Sequence, residues 1–234
     1  MKNLIIIILF FSFSVVAQNK SENYADKAFE KYKAGDIKGA IAELDKAIEN
    51  NPKDAESFYN RGLLKDALKD YESAIADYDK SIELDPSKAE TYCNRANSKN
   101  SLKDFEGAIK DCDKSLEINK NYPLAYNTRG NAHNGLKDFK NAIEDFTKAI
   151  EIDPNYAKAY MNRGNSKDNM GDQYGALDDY DKAIKINPKY VNAYLNRGIT
   201  KLHMEDKEGA IEDWKKAKEL GSSVAEELLE RFDK

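Results

Sequence analysis

The chain has 234 residues, 37 basic and 42 acidic, and a formal net charge of −5 at pH 7. With 5 prolines, 12 glycines and 41% hydrophobic residues it is neither collagen-like nor proline-rich and disordered, and it favours a helical fold. The acidic balance argues against a general nucleic-acid-binding protein, and two cysteines with two histidines are too few for a typical structural zinc site.

Residues 1–17 differ from everything that follows. Lys2 precedes an apolar run over residues 4–13, and small residues then lead to Ala17. This order is typical of a secretory signal peptide cleaved between Ala17 and Gln18. The run is shorter than the about 20 apolar residues that a membrane-spanning helix needs, and an uncleaved anchor is the alternative. The sequence therefore predicts a secreted or periplasmic chain without a membrane span after cleavage.

A short polar lead-in over residues 18–20 precedes a sequence repeat. Prolines recur at multiples of 34 residues, at Pro52, Pro86, Pro154 and Pro188. Placing this proline at repeat position 32 divides the chain into six repeats, 21–54, 55–88, 89–122, 123–156, 157–190 and 191–224. Position 20 is then always alanine, positions 8 and 27 are always small, and position 4 is always aromatic.

Each repeat reads as two antiparallel helices. Positions 4, 7, 8, 11 and 14 share one face of a first helix over positions 1–14. Aspartate at position 16 is placed to cap a second helix over positions 17–31. Proline at position 32, present in four of the six repeats and replaced by Lys120 in repeat 3, ends that helix. The six aspartates are Asp36, Asp70, Asp104, Asp138, Asp172 and Asp206.

The repeated aromatic-4, Gly/Ala-8, Ala-20, aromatic-24, Ala-27, Pro-32 pattern resembles the tetratricopeptide repeat family across residues 21–224. The resemblance implies an all-α fold, a right-handed α-α superhelix (solenoid) of six helix-turn-helix repeats. Residues 222–234 are expected to form a C-terminal capping helix. Position 24 departs from the family pattern at Leu44 and Cys112, where we expect looser packing.

Family members bind extended peptides or partner helices on the concave wall formed by their first helices. In repeats 2–5, positions 6, 9 and 12 of that wall hold eight asparagines among twelve residues, although the whole chain has 22 asparagines in 234 residues. With one more in repeat 6, the predicted peptide-binding residues are Asn60, Asn94, Asn97, Asn100, Asn131, Asn134, Asn162, Asn165 and Asn196.

An asparagine amide both donates and accepts, so a row of them can pair with the N–H and C=O groups of a peptide backbone. The pattern resembles the asparagine ladder in the repeat superhelix of the sugar transferase that modifies intracellular serines and threonines. The alternative is structural, because asparagine at position 6 is common in the family. A second family mode, which grips a C-terminal carboxylate, is not supported, since Ala25 and Phe29 occupy two of its positions.

Position 7 is basic and position 23 is acidic in all six repeats, from Lys27 and Glu43 to Arg197 and Asp213. This pairing predicts ion pairs between the two helices of a repeat or between neighbouring repeats, and it argues against a phosphate site. Cys93 and Cys112 stand at positions 5 and 24, which face different surfaces, so two free thiols are expected.

The sequence has no Ser/His/Asp set, no glycine-rich phosphate loop and no metal cluster. It therefore predicts a non-enzymatic interaction scaffold that needs no cofactor and no metal, and that binds a protein or peptide in its groove. The alternative is a structural component of a cell-envelope complex or homo-oligomer that uses the convex face or the ends of the array. The sequence does not define the oligomeric state.

Overall fold

The computed structural model describes residues 20–232, with side chains from Asn23 onward. The predicted signal peptide, and with it the expected cleavage site, lies outside the described residues. Every regular element within them is an α-helix, which confirms the all-α fold. The chain divides into two compact units, Met1–Lys120 and Asn121–Lys234.

The first unit contains three helix pairs and the second contains three pairs and a final single helix. In the first unit they are α1 (Lys20–Lys33), α2 (Ile37–Asn50), α3 (Ala55–Ala67), α4 (Tyr71–Leu84), α5 (Ala89–Ser101) and α6 (Phe105–Ile118). In the second they are α7 (Pro123–Gly135), α8 (Phe139–Ile152), α9 (Ala157–Asn169), α10 (Gln173–Ile186), α11 (Val191–His203), α12 (Lys207–Glu219) and α13 (Ser223–Phe232).

Within each unit, the second helix of a pair packs on its own first helix and on the first helix of the next pair. This stacking is the arrangement that the repeat pattern predicts. The predicted caps are confirmed in all six pairs, because the carboxylate at position 16 accepts a hydrogen bond from the backbone N–H at position 19. The N–O distances range from 2.8 Å at Gly39 to 3.4 Å at Ser73.

The two helices of a pair approach most closely at position 8. A Cβ atom added to Gly164 would lie 2.7 Å from Cε1 of Tyr180, the aromatic residue at position 24. Gly62, Gly130 and Gly198 meet Tyr78, Phe146 and Trp214 in the same way.

The two repeats with a smaller residue at position 24 have alanine, and not glycine, at position 8. These pairs are Ala28 with Leu44 and Ala96 with Cys112, and all four residues are buried. The added methyl group offsets part of the lost side-chain volume, so the looser packing expected at Leu44 and Cys112 is at least partly compensated. Cys93 and Cys112 are both buried and are not joined in a disulfide, as expected.

The acidic residue at position 23 is buried between the helices of its pair. Asp179 is only 3% exposed, and it accepts hydrogen bonds from Nε and Nη2 of Arg163 at 2.9 and 2.7 Å. Lys167, at position 11, lies 2.8 Å from the same carboxylate. The arginine at position 7 also lies over the aromatic ring at position 4, with 5.5 Å between Arg163 Cζ and the Tyr160 ring centroid.

The predicted ion pair forms in repeats 2 to 6. In each of these repeats the arginine at position 7 donates to the aspartate at position 23. The pairs are Arg61 with Asp77, Arg95 with Asp111, Arg129 with Asp145, Arg163 with Asp179, and Arg197 with Asp213. Repeat 1 differs from the prediction, because Glu43 accepts a hydrogen bond from Lys46 at 2.9 Å while Lys27 lies over the Tyr24 ring. A lysine is not long or forked enough to reproduce the two-pronged contact of arginine.

The final helix covers the last pair, as predicted for a capping helix. Leu228, Leu229 and Phe232 pack against the cluster that contains Tyr194 and Trp214. The rings of Trp214 and Phe232 lie 5.6 Å apart between centroids. This contact removes from water an apolar face that a further repeat would otherwise cover.

We predict that Gly164→Ala destabilises the protein by about 1–3 kcal/mol, because overpacking against Tyr180 outweighs the better helix propensity of alanine. The measurement is the free energy of unfolding in urea. Adding Tyr180→Cys should recover part of the loss, since Ala96 and Cys112 coexist at the same two positions. Equal destabilisation by Gly164→Ala with and without the second change would contradict the close approach.

We predict that Arg163→Ala costs about 3 kcal/mol, because it leaves the buried Asp179 carboxylate with Lys167 as its remaining cation. The exposed Lys189→Ala serves as control and should change stability by no more than about 0.5 kcal/mol. Thermal unfolding compares the two variants. A melting temperature of Arg163→Ala equal to that of the wild type would rule out a stabilising pair.

Candidate protein-binding surface

The predicted asparagines all lie on the first helices of their pairs, so they belong to one kind of surface, here called the first-helix surface. In the first unit, Asn60 is buried and Asn97 is exposed. Asn94 and Asn100 are half-buried. The Nδ2 atom of Asn94 donates a hydrogen bond to the Tyr59 hydroxyl at 3.0 Å, which joins α5 to α3.

In the second unit, the asparagines bond to one another across neighbouring repeats. Nδ2 of Asn162 donates to Oδ1 of Asn131 at 2.9 Å and to Oδ1 of Asn127 at 3.0 Å. One repeat further on, Nδ2 of Asn196 donates to Oδ1 of Asn165 at 2.7 Å. In both cases position 6 donates to position 9 of the preceding repeat, so the amides form a recurring bridge between first helices.

Two further contacts fix these amides in place. Oδ1 of Asn165 also accepts a hydrogen bond from the Tyr180 hydroxyl at 2.8 Å. Oδ1 of Asn134 accepts one from the Ser166 hydroxyl at 2.8 Å. The structure thus brings Asn131 with Asn162, and Asn165 with Asn196, into direct contact.

The bridges leave hydrogen-bonding capacity unused. Asn131 and Asn165 are both half-buried, and Nδ2 of Asn165 donates to Sδ of Met161 at 3.2 Å. Among residues 20–232, Nδ2 of Asn131 has no hydrogen-bond partner, and its oxygen is held by Asn162. The side chain of Asn97 is exposed and makes no hydrogen bond to the described part of the chain. Because an amide can make up to four hydrogen bonds, these groups can still bind a backbone.

A half-buried carboxylate lies on the same surface at position 12 of repeat 2. Asp66 accepts hydrogen bonds from the hydroxyls of Tyr78 and Ser98, each at 2.7 Å. Burial raises the pKa of Asp66 above its ordinary value, and the two hydroxyl donors oppose part of that rise. Burial likewise raises the pKa of Tyr59 well above the ordinary value for tyrosine.

The amide bridges were not part of the sequence prediction, although the sequence contains a signal for them. Asn131 and Asn162 are separated by 31 residues, and so are Asn165 and Asn196. That spacing joins position 9 of one repeat to position 6 of the next. The partners Asn127, Tyr59 and Tyr180 could not be identified, because they depend on how side chains turn within the stack.

The described residues contain no group of three or more His, Cys, Asp and Glu side chains that could hold a metal ion. Over the same range, no helix is both long enough and apolar enough to cross a membrane.

A tetratricopeptide repeat family model matches residues 55–88, 89–122, 123–156 and 157–190. Two further tetratricopeptide repeat models match residues 30–65 and 179–212. The first model alone accounts for more than half of the chain. The chain belongs to the tetratricopeptide repeat family.

Solved structures of other tetratricopeptide repeat proteins are similar to this one. YrrB, described as a TPR protein with an unusual peptide-binding site, is 26% identical, with 80% of this chain and 97% of that chain covered and a TM-score of 0.59. A tetratricopeptide repeat protein from Parabacteroides merdae is 24% identical over 92% of this chain and 84% of that chain, with a TM-score of 0.75.

PilW, a type IV pilus biogenesis factor, has a TM-score of 0.82 at 17% identity, over 91% of this chain and 100% of that chain, and shows the fold alone. A comparison with curated proteins gave no match.

For this tetratricopeptide repeat protein we predict that Asp66→Asn raises stability at pH 7. The pKa of Asp66 is higher in the folded state, so the ionised carboxylate destabilises the fold above that pKa, and the penalty disappears as pH falls through it. The variant's advantage in unfolding free energy should therefore shrink from pH 7 to pH 4.

The reverse change Asn134→Asp places a carboxylate at the same repeat position beside Ser166. This variant should lower the free energy of unfolding at pH 7, and the destabilisation should be smaller at pH 4. An advantage of Asp66→Asn that does not vary with pH would refute the burial effect.

Proposed function

We propose that the protein is a non-enzymatic interaction scaffold that binds an extended segment of a partner protein through the asparagines of its first-helix surface. The observation that supports this most is the repeated amide bridge, Asn131 with Asn162 and Asn165 with Asn196. Membership of the tetratricopeptide repeat family supports a protein as the partner.

The bridges favour binding because they hold the amides in fixed orientations before a ligand arrives. Asn131 is oriented through its oxygen, which leaves its two N–H groups for a peptide carbonyl. Side chains that are already ordered lose little conformational entropy on binding, so more of the hydrogen-bond energy contributes to affinity. Asparagine also costs up to about 0.7 kcal/mol in a helix interior relative to alanine, which a purely solvated surface would not compensate.

An amide row contacts the peptide backbone and not particular side chains. The ligand we propose is therefore an extended segment selected mainly by its conformation. The likeness to YrrB, a repeat protein with a peptide-binding site, is consistent with this class of ligand.

A second candidate function is assembly with copies of the chain or with an envelope complex. It is favoured by apolar side chains that remain exposed at the turn of repeat 5, where Met170 is 56% and Tyr174 77% exposed. Size-exclusion chromatography with light scattering separates the two functions, because a stable oligomer at low micromolar concentration would favour assembly.

The location we propose is the periplasm or the exterior of the cell, after cleavage between Ala17 and Gln18. The support is the basic start, apolar run and small residues of the first 17 residues. N-terminal sequencing of the protein recovered from its own compartment tests the cleavage, and an intact Met1 would refute it.

We predict that the triple variant Asn97→Ala, Asn131→Ala, Asn165→Ala loses most of its binding to an array of extended peptides from secreted proteins. Each lost amide contact should cost about 0.5–1.5 kcal/mol, so the three together should weaken binding at least tenfold. Asn97→Ala alone is the cleanest probe, because that side chain holds no other helix.

Asn155→Ala changes an exposed asparagine in a turn and is the matched control. It should bind like the wild type. Circular dichroism before each assay separates a binding defect from unfolding. Unchanged binding by a folded triple variant would refute the asparagine surface.

A further inference from the structure

The second unit has a surface cavity of about 670 Å³ on the flank of repeat 5, and none of the bridging asparagines lines it. It lies where α9 and α10 face each other. Its charged lining consists of four cations and three carboxylates, Arg163, Lys167, Lys182, Lys185, Asp178, Asp179 and Asp181, and Tyr160 completes it.

Two acidic residues of the repeat pattern are missing here, one in the cavity lining and one at the residue that bonds its Arg163. Lysine at position 26 pairs with glutamate at position 29 in repeats 2, 3, 4 and 6, as in Lys148 with Glu151 at 2.7 Å. Repeat 5 has Lys182 and Lys185 at these positions. Both are exposed, and neither forms an ion pair within residues 20–232.

The second loss is at position 25 of the preceding repeat. Nη1 of Arg61 and of Arg95 bonds an aspartate there, Asp45 at 2.7 Å and Asp79 at 2.6 Å. Nη1 of Arg163 meets the neutral hydroxyl of Thr147 at 3.0 Å instead. That hydroxyl already donates to the Ile143 carbonyl at 2.7 Å.

The two losses leave an excess of positive charge at one place. Asp179 is shared by Arg163 and Lys167, and Asp181 is paired with Arg197 of the next repeat. Because Asp181 neutralises Arg197, which is not a lining residue, two carboxylates remain to balance the four cations of the lining. The lining therefore has an excess of two positive charges, although the net charge of the chain is −5. The exposed Asp178 is the only lining carboxylate not already engaged by an arginine or lysine within the described residues.

We infer that this basic flank, defined by Arg163, Lys182, Lys185 and Thr147, is a second protein-binding surface that takes an acidic segment of a partner. Charge complementarity identifies the occupant, because lysine ammonium groups without acidic partners attract carboxylate side chains. Tyr160 adds an aromatic wall beside them. The surface is independent of the asparagines, so either can be correct without the other.

The test uses fluorescence anisotropy with a labelled, end-blocked peptide of eight glutamates at low ionic strength, with an eight-lysine peptide for comparison. The variant Thr147→Asp/Lys185→Glu restores the aspartate that repeats 1, 2, 3 and 5 have at position 25 and the glutamate that every other repeat has at position 29. It should weaken binding of the glutamate peptide about tenfold or more while the melting temperature stays equal or rises. Added salt should weaken wild-type binding.

The matched control Lys38→Glu/Ser73→Asp removes the same amount of positive charge from the first unit and should leave the affinity within about twofold. Three outcomes would overturn the inference. One is equal affinity for wild type and Thr147→Asp/Lys185→Glu. A second is an equal loss in the control, which would mean that net charge alone governs binding. Binding of inorganic phosphate without binding of the peptide would also overturn it, since the site would then hold a small anion.

Discussion

The stacking of helices in this protein depends on one interaction, the ion pair between the buried carboxylate at repeat position 23 and the arginine at position 7. Asp77, Asp111, Asp145, Asp179 and Asp213 are each no more than 5% exposed. An unpaired carboxylate at that depth would cost several kcal/mol, so each one requires its cations. Arginine at position 7 supplies a two-pronged bond, and lysine at position 11 supplies a second charge in four of the five repeats.

The same arginine also connects neighbouring pairs. Its Nη1 atom reaches position 25 of the preceding repeat, as from Arg61 to Asp45 in the first unit and from Arg197 to Asp181 in the second. One guanidinium therefore fixes both the geometry within a pair and the contact with the pair before it. The first-helix surface inherits its regularity from this contact, because amides 31 residues apart meet only if successive first helices keep a constant offset.

Much of the fold could be predicted from the sequence because it is set by local and repeated constraints. The caps at position 16 and the ion pairs of repeats 2 to 6 follow from residue type and spacing. The compensation between Ala96 and Cys112 also has a signal in the sequence. Repeats 2, 4, 5 and 6 combine glycine at position 8 with an aromatic residue at position 24, whereas repeats 1 and 3 combine alanine with Leu44 or Cys112.

The candidate site was less predictable. Counting asparagines indicated the first-helix surface as a candidate. The bonds between Asn162 and Asn131, or from Tyr180 to Asn165, depend on side-chain rotation and on the offset between helices. Repeat 1 shows that matching charges in the sequence also do not determine which ion pair forms. Lys27 and Glu43 match the pattern by sign, yet Glu43 pairs with Lys46 one turn along its own helix, because that contact needs no long reach.

A repeated pattern makes its exceptions informative. At positions where all repeats have the same type of residue, packing explains that residue, and it gives no indication of a ligand. Thr147 and Lys185 stand where the neighbouring repeats have carboxylates. Thr147 offers Arg163 a neutral hydroxyl, and Lys185 lines the same cavity as Arg163, so both differences make that cavity more positive. Drift alone would scatter such changes over the surface. Two that fall together, one bonded to Arg163 and one in the same cavity lining, favour an acidic partner segment at this flank.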